Sequence, residues 1–311
     1  MPCTSTLKQE AQQRIMAVIN FGSINIDHVY QVDHFVQPGE TIASSHYQCL
    51  LGGKGANQSI ALARAGSEVR HVGKINEADV SFKQTMIRDG IDCKHVSCTE
   101  MATGHAIIQV TPSAENAIVL FGGANHEMTP KDIMQALDTV SSADWVLTQN
   151  ETSNIDQVLI QAKEKGLQVA FNPAPMTESV KHLPHECIDL LIVNEVEAEE
   201  ISGRQDLDKI EDYFRQDWPH AEVLITLGKA GVRMLKKDKT INVPAFEVEA
   251  VDTTAAGDTF IGYFLSAYST HTDSKTALTR ACAASALAVM QVGAAQSIPS
   301  IEDVNRFLAK Q

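Results

Sequence analysis

Two aspartates flank a run of small residues near the end of the chain. The stretch V-D-T-T-A-A-G-D-T-F-I-G-Y-F covers residues 251–264. The aspartates are Asp252 and Asp258, and the small residues between them are Ala255, Ala256 and Gly257. An apolar helix is predicted directly after the small residues, so their backbone N–H groups would lie at a helix N-terminus, which favours an anion. A carboxylate at 258 would repel a resting anion, and this indicates that Asp258 accepts a proton.

A base beside a group of amide donors suits phosphoryl transfer. The base takes the proton of an acceptor hydroxyl, and the amides stabilise charge on the transferred group. The structural alternative is an acid in the first turn of a helix, where the helix dipole favours it. We favour the chemical interpretation, in which Asp258 is the catalytic base and residues 255–257 form an anion hole.

A glycine-rich segment opens another predicted helix. It reads L-G-G-K-G-A-N-Q-S-I-A-L-A-R-A-G over residues 51–66. The segment lacks the G-K-[ST] of a P-loop, and Gln58 stands where a dinucleotide fingerprint has a small residue. The structural alternative is a flexible turn before a helix. Asn57 favours binding, because asparagine is unfavourable inside a helix while its amide suits hydroxyl groups.

Further polar residues follow predicted strands. Asn25 and Asp27 in S-I-N-I-D alternate along an extended segment, so their side chains lie on the same side. They suit vicinal hydroxyls, although turn chemistry is the common use of these residue types. Glu151 follows a later strand, where it is either a ligand-binding carboxylate or an acid at a helix N-terminus.

A third group of polar residues suggests a nucleotide site. Asn194 and Glu197 lie three residues apart and share one face at a predicted helix start. They are either ordinary first-turn residues or organisers of a hydrated Mg²⁺ ion beside a phosphate. The motif T-L-G-K-A-G over residues 226–231 is either a hairpin turn or a backbone platform for a nucleotide.

The elements that position these residues alternate between strands and helices. Several short apolar runs are typical of buried strands, and the helical patterns between them predict a doubly wound, mostly parallel sheet flanked by helices. The predicted strands are 16–21, 144–148, 167–171, 188–193 and 222–226, and the predicted helices include 130–140, 154–165 and 195–202. The polar residues fall at the carboxyl ends of strands, including Asp252 after V-E-A-V, where open α/β sheets bind ligands.

Two regions break the alternation. Residues 28–50 and 103–121 carry strand-like runs separated by Pro-Gly, Pro-Ser and Gly-Gly, with no helix between them. They predict a small antiparallel sheet inserted into the α/β domain as a lid over a cleft. The predicted organisation is an N-terminal extension over residues 1–15 and one α/β domain over residues 16–311.

Composition limits the possible partners. The 311 residues include 25 Lys and Arg against 39 Asp and Glu, a formal charge of −14, which disfavours nucleic acid and anionic membranes. No apolar run reaches membrane-spanning length. The six cysteines are scattered without metal-ligand spacing, so reduced thiols and a cytosolic location are expected.

Taken together and in order, the motifs resemble those of the PfkB carbohydrate kinases over about residues 16–310. The matching motifs are S-I-N-I-D, G-G-K-G-A-N, N-P-A-P, V-N-E-V-E, T-L-G-K-A-G and D-T-T-A-A-G-D-T-F. The resemblance implies an ATP-dependent kinase for the 5-hydroxyl of D-ribose, with a doubly wound α/β domain, a β lid and a homodimer formed through that lid.

The resemblance also assigns roles to single residues. It implies sugar contacts at Asn25, Asp27, Gly53, Lys54, Asn57, Glu151 and Asp258. It implies ATP contacts at Asn194, Thr226, Gly228, Gly231, Gly257 and Cys282, and a water-mediated Mg²⁺ contact at Glu197. It implies a K⁺ site at Asp252, Thr254, Ala288, Gln291, Gly293 and Ser297. One departure is V-G-K-I-N-E-A-D-V-S-F over residues 72–82, where the family has a G-x-D-x-x-G turn beside the sugar pocket.

Several alternatives stay open. A free sugar is favoured over a sugar phosphate, because only Lys54 brings a positive charge to the hydroxyl-binding motifs. Asn25 favours ribose, while deoxyribose, fructose or a nucleoside are the other acceptors. A nicotinamide oxidoreductase would need G-x-G-x-x-G after the first strand, where the chain has G-S-I-N-I-D. A catalytically silent sugar-binding regulator would lack the base or the amide cradle, and both are present.

Overall fold

Short runs of aliphatic residues form the central strands of the molecule. The computed structural model describes residues 16–113 and 115–311, so the predicted N-terminal extension over residues 1–15 lies outside the described residues. Within the described ranges the strands are β1 Ala17–Phe21, β2 Asn25–Gln31, β3 His46–Gly52, β4 Glu68–Asn76, β5 Asp92–Thr99, β6 Gly104–Val110, β7 Asn116–Phe121, β8 Trp145–Gln149, β9 Gln168–Asn172, β10 Leu190–Asn194, β11 Glu222–Thr226, β12 Val232–Lys236 and β13 Lys239–Val243.

Helices connect most of the parallel strands. They are α1 Lys54–Arg64, α2 Val80–Arg88, α3 Pro130–Ala136, α4 Ile155–Glu164, α5 Glu195–Ser202, α6 Leu207–Asp217, α7 Ala256–Ser269, α8 Ser274–Val289 and α9 Ile301–Leu308. Side-chain caps begin several of them. Thr129 and Asp132, for example, form a reciprocal capping box at the start of α3, and Asp273 accepts the Thr276 N–H at the start of α8.

The large sheet has nine strands in the order β13-β12-β11-β10-β9-β8-β1-β4-β5. Strand pairs from β11 to β5 are parallel, whereas β11–β12 and β12–β13 are antiparallel. The predicted doubly wound, mostly parallel sheet flanked by helices is therefore confirmed.

Alternate residues of each central strand pack on opposite faces of this sheet. In β1, Val18 contributes to a core that includes α1, α7 and α8, whereas Ile19 and Phe21 contribute to a core with α3 to α6. All five residues of β1 are buried. This burial on both faces explains why the strand is largely apolar, with Asn20 as its one polar residue.

A second sheet lies apart from the first in the order β3-β2-β6-β7. We call these four strands the lid sheet. β2–β3 and β6–β7 pair antiparallel, and the central β2–β6 pair is parallel. The second small sheet is confirmed. Its parallel centre joins two hairpin-like strand pairs that are separated in the chain by α1, β4, α2 and β5.

Some elements differ from the sequence expectation. The helix expected over residues 130–140 ends at Ala136. The chain forms β4, α2 and β5 between residues 68 and 99, elements whose polar residues gave no clear period. The strand expected before Asp252 is wrong, because residues 244–250 are irregular and Pro244, which lacks an N–H, directly follows β13.

Two further properties concern the described ranges only. None of the helices there is both long and apolar enough to cross a membrane. The cysteines described there, Cys49, Cys93, Cys98, Cys187 and Cys282, are free thiols.

Candidate active site

A cavity of about 210 Å³ opens at the carboxyl ends of the parallel strands. Three strands end with a polar residue at this edge, namely β9 with Asn172, β10 with Asn194 and β11 with Thr226. Other lining residues come from α1, α5 and the start of α7, and they are Lys54, Glu197, Ala255, Gly257 and Asp258. The structure therefore brings seven of the predicted site residues to one cavity.

The glycine-rich turn is fastened to the first strand by close backbone packing. A Cβ atom at Gly22 would lie 2.5 Å from the Cα of Gly55, and one at Gly55 would lie 2.3 Å from the N of Ser23. Only glycine permits this approach. The contact places α1, with Asn57 on its first turn, beside the end of β1.

The N-terminus of α1 is satisfied by protein groups. The N–H of Lys54 donates to Oε2 of Glu151 at 3.1 Å, and Ser23 Oγ donates to the same oxygen. The N–H of Gly55 donates to Ser23 Oγ at 3.2 Å, and the N–H of Ala56 donates to the Ser23 carbonyl at 2.9 Å. Glu151 therefore anchors this helix in addition to its predicted role in sugar binding.

Asn25 and Asp27 lie on the same side of β2, as the sequence predicts. Asp27 packs against Gly52, where a Cβ atom would lie 2.0 Å from its Oδ2. Burial, followed by the nearby carboxylate of Glu151, raises the pKa of Asp27 to about 6. The Asp27 carboxylate is therefore poorly solvated, as expected for a group that accepts hydrogen bonds from a ligand.

Asn125 orients Asn25, and the sequence interpretation did not identify it. Its Nδ2 donates to Oδ1 of Asn25 at 2.7 Å, and its Oδ1 accepts the N–H of Ile24 at 2.9 Å. Gly104 leaves room for the pair, because a Cβ atom there would lie 2.3 Å from Asn25 Oδ1. With Oδ1 engaged, the Nδ2 of Asn25 is the group left for a ligand. The sequence signal for Asn125 was weak: an asparagine in G-G-A-N directly after a lid strand.

Asp258 lies in the first turn of α7 with its carboxylate in the cavity wall. Gln58 donates to Oδ1 at 2.9 Å and Asn57 donates to Oδ2 at 3.0 Å. Burial raises the pKa of the Asp258 carboxyl above its ordinary value, although Lys54 and these two amides favour the ionised form. A partly desolvated carboxylate in a cavity is the expected form of a general base.

The backbone amides beside Asp258 divide into two groups. The N–H of Ala256 donates to the Thr253 carbonyl at 3.2 Å, because the turn before α7 closes on itself. This corrects the expectation that Ala256 contributes a free donor. The N–H groups of Gly257 and Asp258 find no acceptor among the described residues, as expected in a first helical turn. These two amides form the open part of the cradle.

The cradle depends on a left-handed residue. Ala255 precedes α7 with φ 59° and ψ 8°, a conformation that alanine adopts at a cost of about 1–2 kcal/mol. The surrounding turn must stabilise it. Such strain is typical of functional sites, and here it turns the chain so that the following amides lie along the cavity.

Carboxylates outnumber cations in the cavity. Lys54 lies near Glu151, Asp258 and Glu197, and its Nζ is 3.6 Å from Oε1 of Glu151. Burial opposes the charge of Lys54, but these carboxylates raise the pKa of its ammonium group. A polyanionic ligand therefore needs donors or counter-charge beyond one lysine.

Asn194 and Glu197 form a reciprocal capping box at the start of α5. Asn194 Oδ1 accepts the N–H of Glu197 at 2.8 Å, and Glu197 Oε2 accepts the N–H of Asn194 at 2.9 Å. The structural interpretation of this pair is thus realised. Glu197 also lines the cavity, and burial raises the pKa of its carboxyl. Its Oε1 is not used by the capping box, so the metal-facing role stays a prediction.

The remaining predicted nucleotide residues lie away from the cavity lining. Gly228 and Gly231 belong to the turn between β11 and β12, which the Leu227 N–H closes by donating to the Gly231 carbonyl. The hairpin interpretation of this motif is correct for its backbone. Cys282 packs in the apolar core beside α7, where burial raises the pKa of its thiol to about 12. Their contacts with a nucleotide stay predictions.

Two turns, at residues 252–254 and 291–297, lie where the monovalent cation was predicted. Asp252 Oδ1 accepts the Thr254 N–H at 2.8 Å and its Oδ2 accepts the Gly293 N–H at 2.9 Å. The hydroxyl of Ser297 donates to the Ala294 carbonyl at 2.9 Å. The Ala288 carbonyl accepts the Gln291 N–H at 3.1 Å. The structure joins the two turns through Asp252. Three of the predicted ligands, Asp252, Ala288 and Ser297, are engaged in hydrogen bonds within the protein.

The departure at residues 72–82 is built around Asn76. Its Oδ1 accepts the Ala78 N–H at 2.9 Å, and its Nδ2 donates to the carbonyls of residues 99–101. The Asn76 N–H donates to Thr103 Oγ1, which donates to Oδ2 of Asp79 at 2.6 Å. Side-chain bonds here tie the turn to the residue that precedes β6.

The donor set suits a divalent metal that is held largely by its own ligands. In residues 16–113 and 115–311, no three His, Cys, Asp or Glu side chains are grouped to hold a metal ion. Glu197 offers one carboxylate at the cavity wall. One carboxylate together with phosphate oxygens and water is the usual environment of Mg²⁺ in nucleotide sites, so the residues fit such an ion.

Comparisons with known proteins agree with this geometry. The curated ribokinase of Haemophilus influenzae is 37% identical over 300 residues, which cover 92% of this chain and 96% of the relative. The deoxyribokinase of Salmonella typhimurium is 31% identical over 308 residues, or 94% and 99% of the two chains. Both relatives align over nearly their whole length.

A solved structure extends the likeness to the fold. The structure of Arabidopsis thaliana ribokinase complexed with ribose and ATP superposes with a TM-score of 0.82 at 27% identity, covering 95% of this chain and 99% of that one. The pattern described as pfkB family carbohydrate kinase matches residues 17–301. The chain is therefore a member of the pfkB family of carbohydrate kinases.

Proposed function

We propose that this protein is an ATP-dependent kinase that converts D-ribose to D-ribose 5-phosphate. The observation that carries the proposal is the position of Asp258. Two side-chain amides hold its carboxylate beside the unpaired backbone N–H groups of Gly257 and Asp258. A base and an anion cradle within one helical turn match the two requirements of phosphoryl transfer to an alcohol.

The reaction follows from this geometry. The Asp258 carboxylate takes the proton of the sugar 5-hydroxyl while the hydroxyl oxygen forms a bond to the γ-phosphorus of ATP. The bond from that phosphorus to the β,γ-bridging oxygen breaks, and ADP leaves with the bonding electrons. The amides of Gly257 and Asp258 stabilise the charge on the transferred group, and the lid sheet limits access of water.

Two cations complete the proposal. Mg²⁺ bound to ATP would neutralise phosphate charge, with Glu197 in contact through water, and the excess of carboxylates around Lys54 makes such counter-charge necessary. K⁺ would be held by carbonyl oxygens of the two turns that Asp252 joins. The turn at residues 252–254 leads directly into α7, so a cation there would support the cradle.

The sugar side favours a free sugar with vicinal hydroxyls. Asn25 presents an amide donor and Asp27 presents a carboxylate acceptor from the same face of β2. Lys54, the cation among these residues, is already paired with Glu151, so a sugar phosphate finds little counter-charge. Deoxyribose is the second candidate, and the similarity to a deoxyribokinase is the observation that favours it.

We further propose a homodimer formed through the lid sheet, in an enzyme that acts in the cytosol. Strand β7 exposes consecutive apolar side chains, with Ile118 at 56%, Val119 at 69%, Leu120 at 50% and Phe121 at 47% exposure. A contiguous exposed apolar strand is a typical interaction surface. Sedimentation of the purified protein gives the oligomeric state directly, and a charged replacement of Val119 should yield the monomer.

A coupled assay of ADP formation tests the activity. Ribose, deoxyribose, fructose and adenosine are compared at matched concentrations, each with and without K⁺ and with Mg²⁺ or EDTA. We expect ribose to give the highest kcat/KM, K⁺ to stimulate turnover and EDTA to abolish it. A higher kcat/KM for any other acceptor would replace ribose as the substrate, and no ADP with any acceptor would refute the kinase.

A further inference from the structure

A chain of hydrogen bonds runs from Asp258 into the interior of the protein. Its members come from α1, β8, β1 and β4, and every one of them is 0% exposed. In order from the cavity they are Gln58, Gln149, Asn20, Ser59 and His71. Buried polar chains are costly unless each member is paired, so this one calls for a functional explanation.

The chain begins at the base. Gln58 Nε2 donates to Oδ1 of Asp258 at 2.9 Å and, at 3.4 Å, to Oδ1 of Asn172. Gln58 Oε1 accepts from Gln149 Nε2 at 2.7 Å. Gln58 therefore contacts the carboxylate from the protein interior, because it is 0% exposed and does not line the cavity.

The middle of the chain crosses two neighbouring strands. Gln149 Nε2 also donates to Oδ1 of Asn20 at 3.0 Å; Gln149 is the last residue of β8 and Asn20 the fourth residue of β1. Asn20 Nδ2 in turn donates to Ser59 Oγ and to the Gly55 carbonyl, both at 2.8 Å. The chain thus returns to α1 one residue after Gln58.

The far end of the chain is a neutral histidine. Ser59 Oγ lies 2.8 Å from Nδ1 of His71, and His71 Nε2 lies 3.1 Å from the Gly22 carbonyl. Burial lowers the pKa of His71 to about 4, so the ring is neutral. Because a carbonyl only accepts, Nε2 carries the proton and Nδ1 accepts from Ser59.

The direction of every bond follows from groups that only accept. The Gly22 carbonyl sets the tautomer of His71, and the Gly55 carbonyl sets which end of the Asn20 amide carries nitrogen. Asn20 then presents oxygen to Gln149, which must donate. Gln149 donates onward to the oxygen of Gln58, so Nε2 of Gln58 is directed to Asp258.

We propose that Gln58 is a positioning residue for the proposed phosphoryl transfer, and that the buried chain to His71 fixes its amide so that a donor always meets Asp258. The inference rests on the proposed function of Asp258 as the base. A reversed amide would place oxygen against the carboxylate and nitrogen against the Gln149 donor, and both contacts would be repulsive. The chain therefore keeps a donor on Oδ1 of Asp258, while Oδ2 accepts from Asn57.

The test replaces the donor and follows the pH dependence of kcat with ribose. Gln58→Met keeps much of the volume but removes the hydrogen bond to the ionised carboxylate, so the acid limb should move upward by about one pH unit. Gln58→Glu places a second carboxylate beside the first, and the shift should be larger. Ser59→Ala breaks the chain at its far end and should give a smaller shift in the same direction.

Thr148→Val is the matched control. Thr148 is also 0% exposed, precedes Gln149 on β8, and donates to the Phe21 carbonyl at 2.9 Å outside the chain. Its replacement removes a buried hydrogen bond of comparable type, so it should lower thermal stability while the pH profile stays that of the wild type. A shift in Thr148→Val equal to that in Gln58→Met would assign the effect to general destabilisation and overturn the proposal.

A second readout separates this proposal from the proposed function. The carboxyl ¹³C signal of Asp258, assigned by its loss in Asp258→Asn, reports the protonation of that group without turnover. Superimposable titrations and pH profiles in the wild type, Gln58→Met and Ser59→Ala would overturn the positioning role. If Gln58→Met does not fold, Ser59→Ala decides by the same two measurements. A wild type that makes no ADP with any acceptor would refute the kinase itself, a result distinct from these.

Discussion

Helices α1 and α7 both begin at the cavity, and their first turns differ. The first three amides of α1 are bonded to Glu151 and Ser23, so this helix end is part of a finished wall. In α7 only the Ala256 amide is bonded, and those of Gly257 and Asp258 remain for a ligand. Both helix starts carry small residues in the sequence, yet only the α7 start keeps unpaired amides that can receive an anion.

The difference shows how the site divides its tasks. Around α1, side chains bond to one another and hold hydroxyl-binding groups in fixed directions, as Asn125 does for Asn25. Around α7, a strained turn presents unpaired backbone N–H donors, and a negatively charged ligand would accept their hydrogen bonds. We therefore expect substitutions of the sugar-side residues Asn25, Asp27 and Asn125 to change sugar affinity, and substitutions near the α7 turn to change turnover or ATP use.

Asp258→Asn should have the largest effect, because it removes the base and leaves both helix ends in place. General base catalysis typically contributes about 10²–10⁴-fold, so we expect kcat to fall by roughly three orders of magnitude. Ribose affinity, measured by calorimetry, should change little. Turnover within tenfold of the wild type would show that Asp258 is not the base.

Asn125→Ala tests the sugar side of the cavity through a residue that lies far from Asn25 in the sequence. Without Asn125, the Asn25 amide loses its partner and can rotate, so one sugar hydrogen bond is weakened. We expect the KM for ribose to rise about tenfold or more while the KM for ATP stays constant. Asn150, which bonds Pro175 and Thr177 on the surface, offers the control Asn150→Ala. Equal increases in the KM for ribose and the KM for ATP would contradict the separation of the sugar side from the nucleotide side.

The pH dependence of ribose binding tests the role of Asp27 in binding the sugar. The raised pKa of Asp27, about 6, means that its carboxylate is ionised above that pH and protonated below it. Since the ionised form accepts sugar hydroxyls, the KM for ribose should rise as pH falls through about 6, approaching tenfold per unit. Asp27→Asn should flatten this dependence. A KM for ribose in the wild type that is constant from pH 7 to 5 would rule out Asp27 as the titrating group.

Glu197→Gln addresses the nucleotide side. Glutamine still serves the capping box with Asn194, so the start of α5 is retained while the charge is lost. We expect the Mg²⁺ concentration for half-maximal rate to rise several-fold, with ribose KM and thermal stability nearly unchanged. Glu197→Ala, which removes cap and charge together, should lower stability as well. An unchanged Mg²⁺ requirement in Glu197→Gln would show that Glu197 does not contribute to metal binding.

Ala255→Gly should have the smallest effect, and in the stabilising direction. Glycine accepts the left-handed conformation at φ 59° without the strain of alanine, although it costs more backbone entropy on folding. The net change expected in urea unfolding is a gain of up to about 1 kcal/mol. Thr253→Gly in the same turn, without a positive φ to relieve, should destabilise instead. A loss of stability in Ala255→Gly would show that this residue is not strained.

The sequence identified most of the residues that local patterns can reveal. Asn25 and Asp27 were readable from alternation, and Asp258 from its place after small residues at a helix start. Parallel strands were readable because burial on both faces makes them continuously apolar. The homodimer, the K⁺ ligands and the cytosolic location stay predictions.

What the sequence could not reveal depends on long-range packing. Asn125 meets Asn25 across 100 residues, and Gln149 meets Asn20 across 129. Nothing local marks His71, because the polar residues of β4 gave no clear period and only the fold buries this side chain. The bonded Ala256 amide was likewise invisible, because it depends on how the Thr253 turn closes.

The contact between Gly22 and Gly55 has a consequence for any library of variants. Each glycine occupies the space that a methyl group on the other would need, so neither position can be rescued by changing its partner to another residue type. A full scan of all nineteen replacements at both sites would therefore return no active pair. Both positions should therefore accept glycine alone.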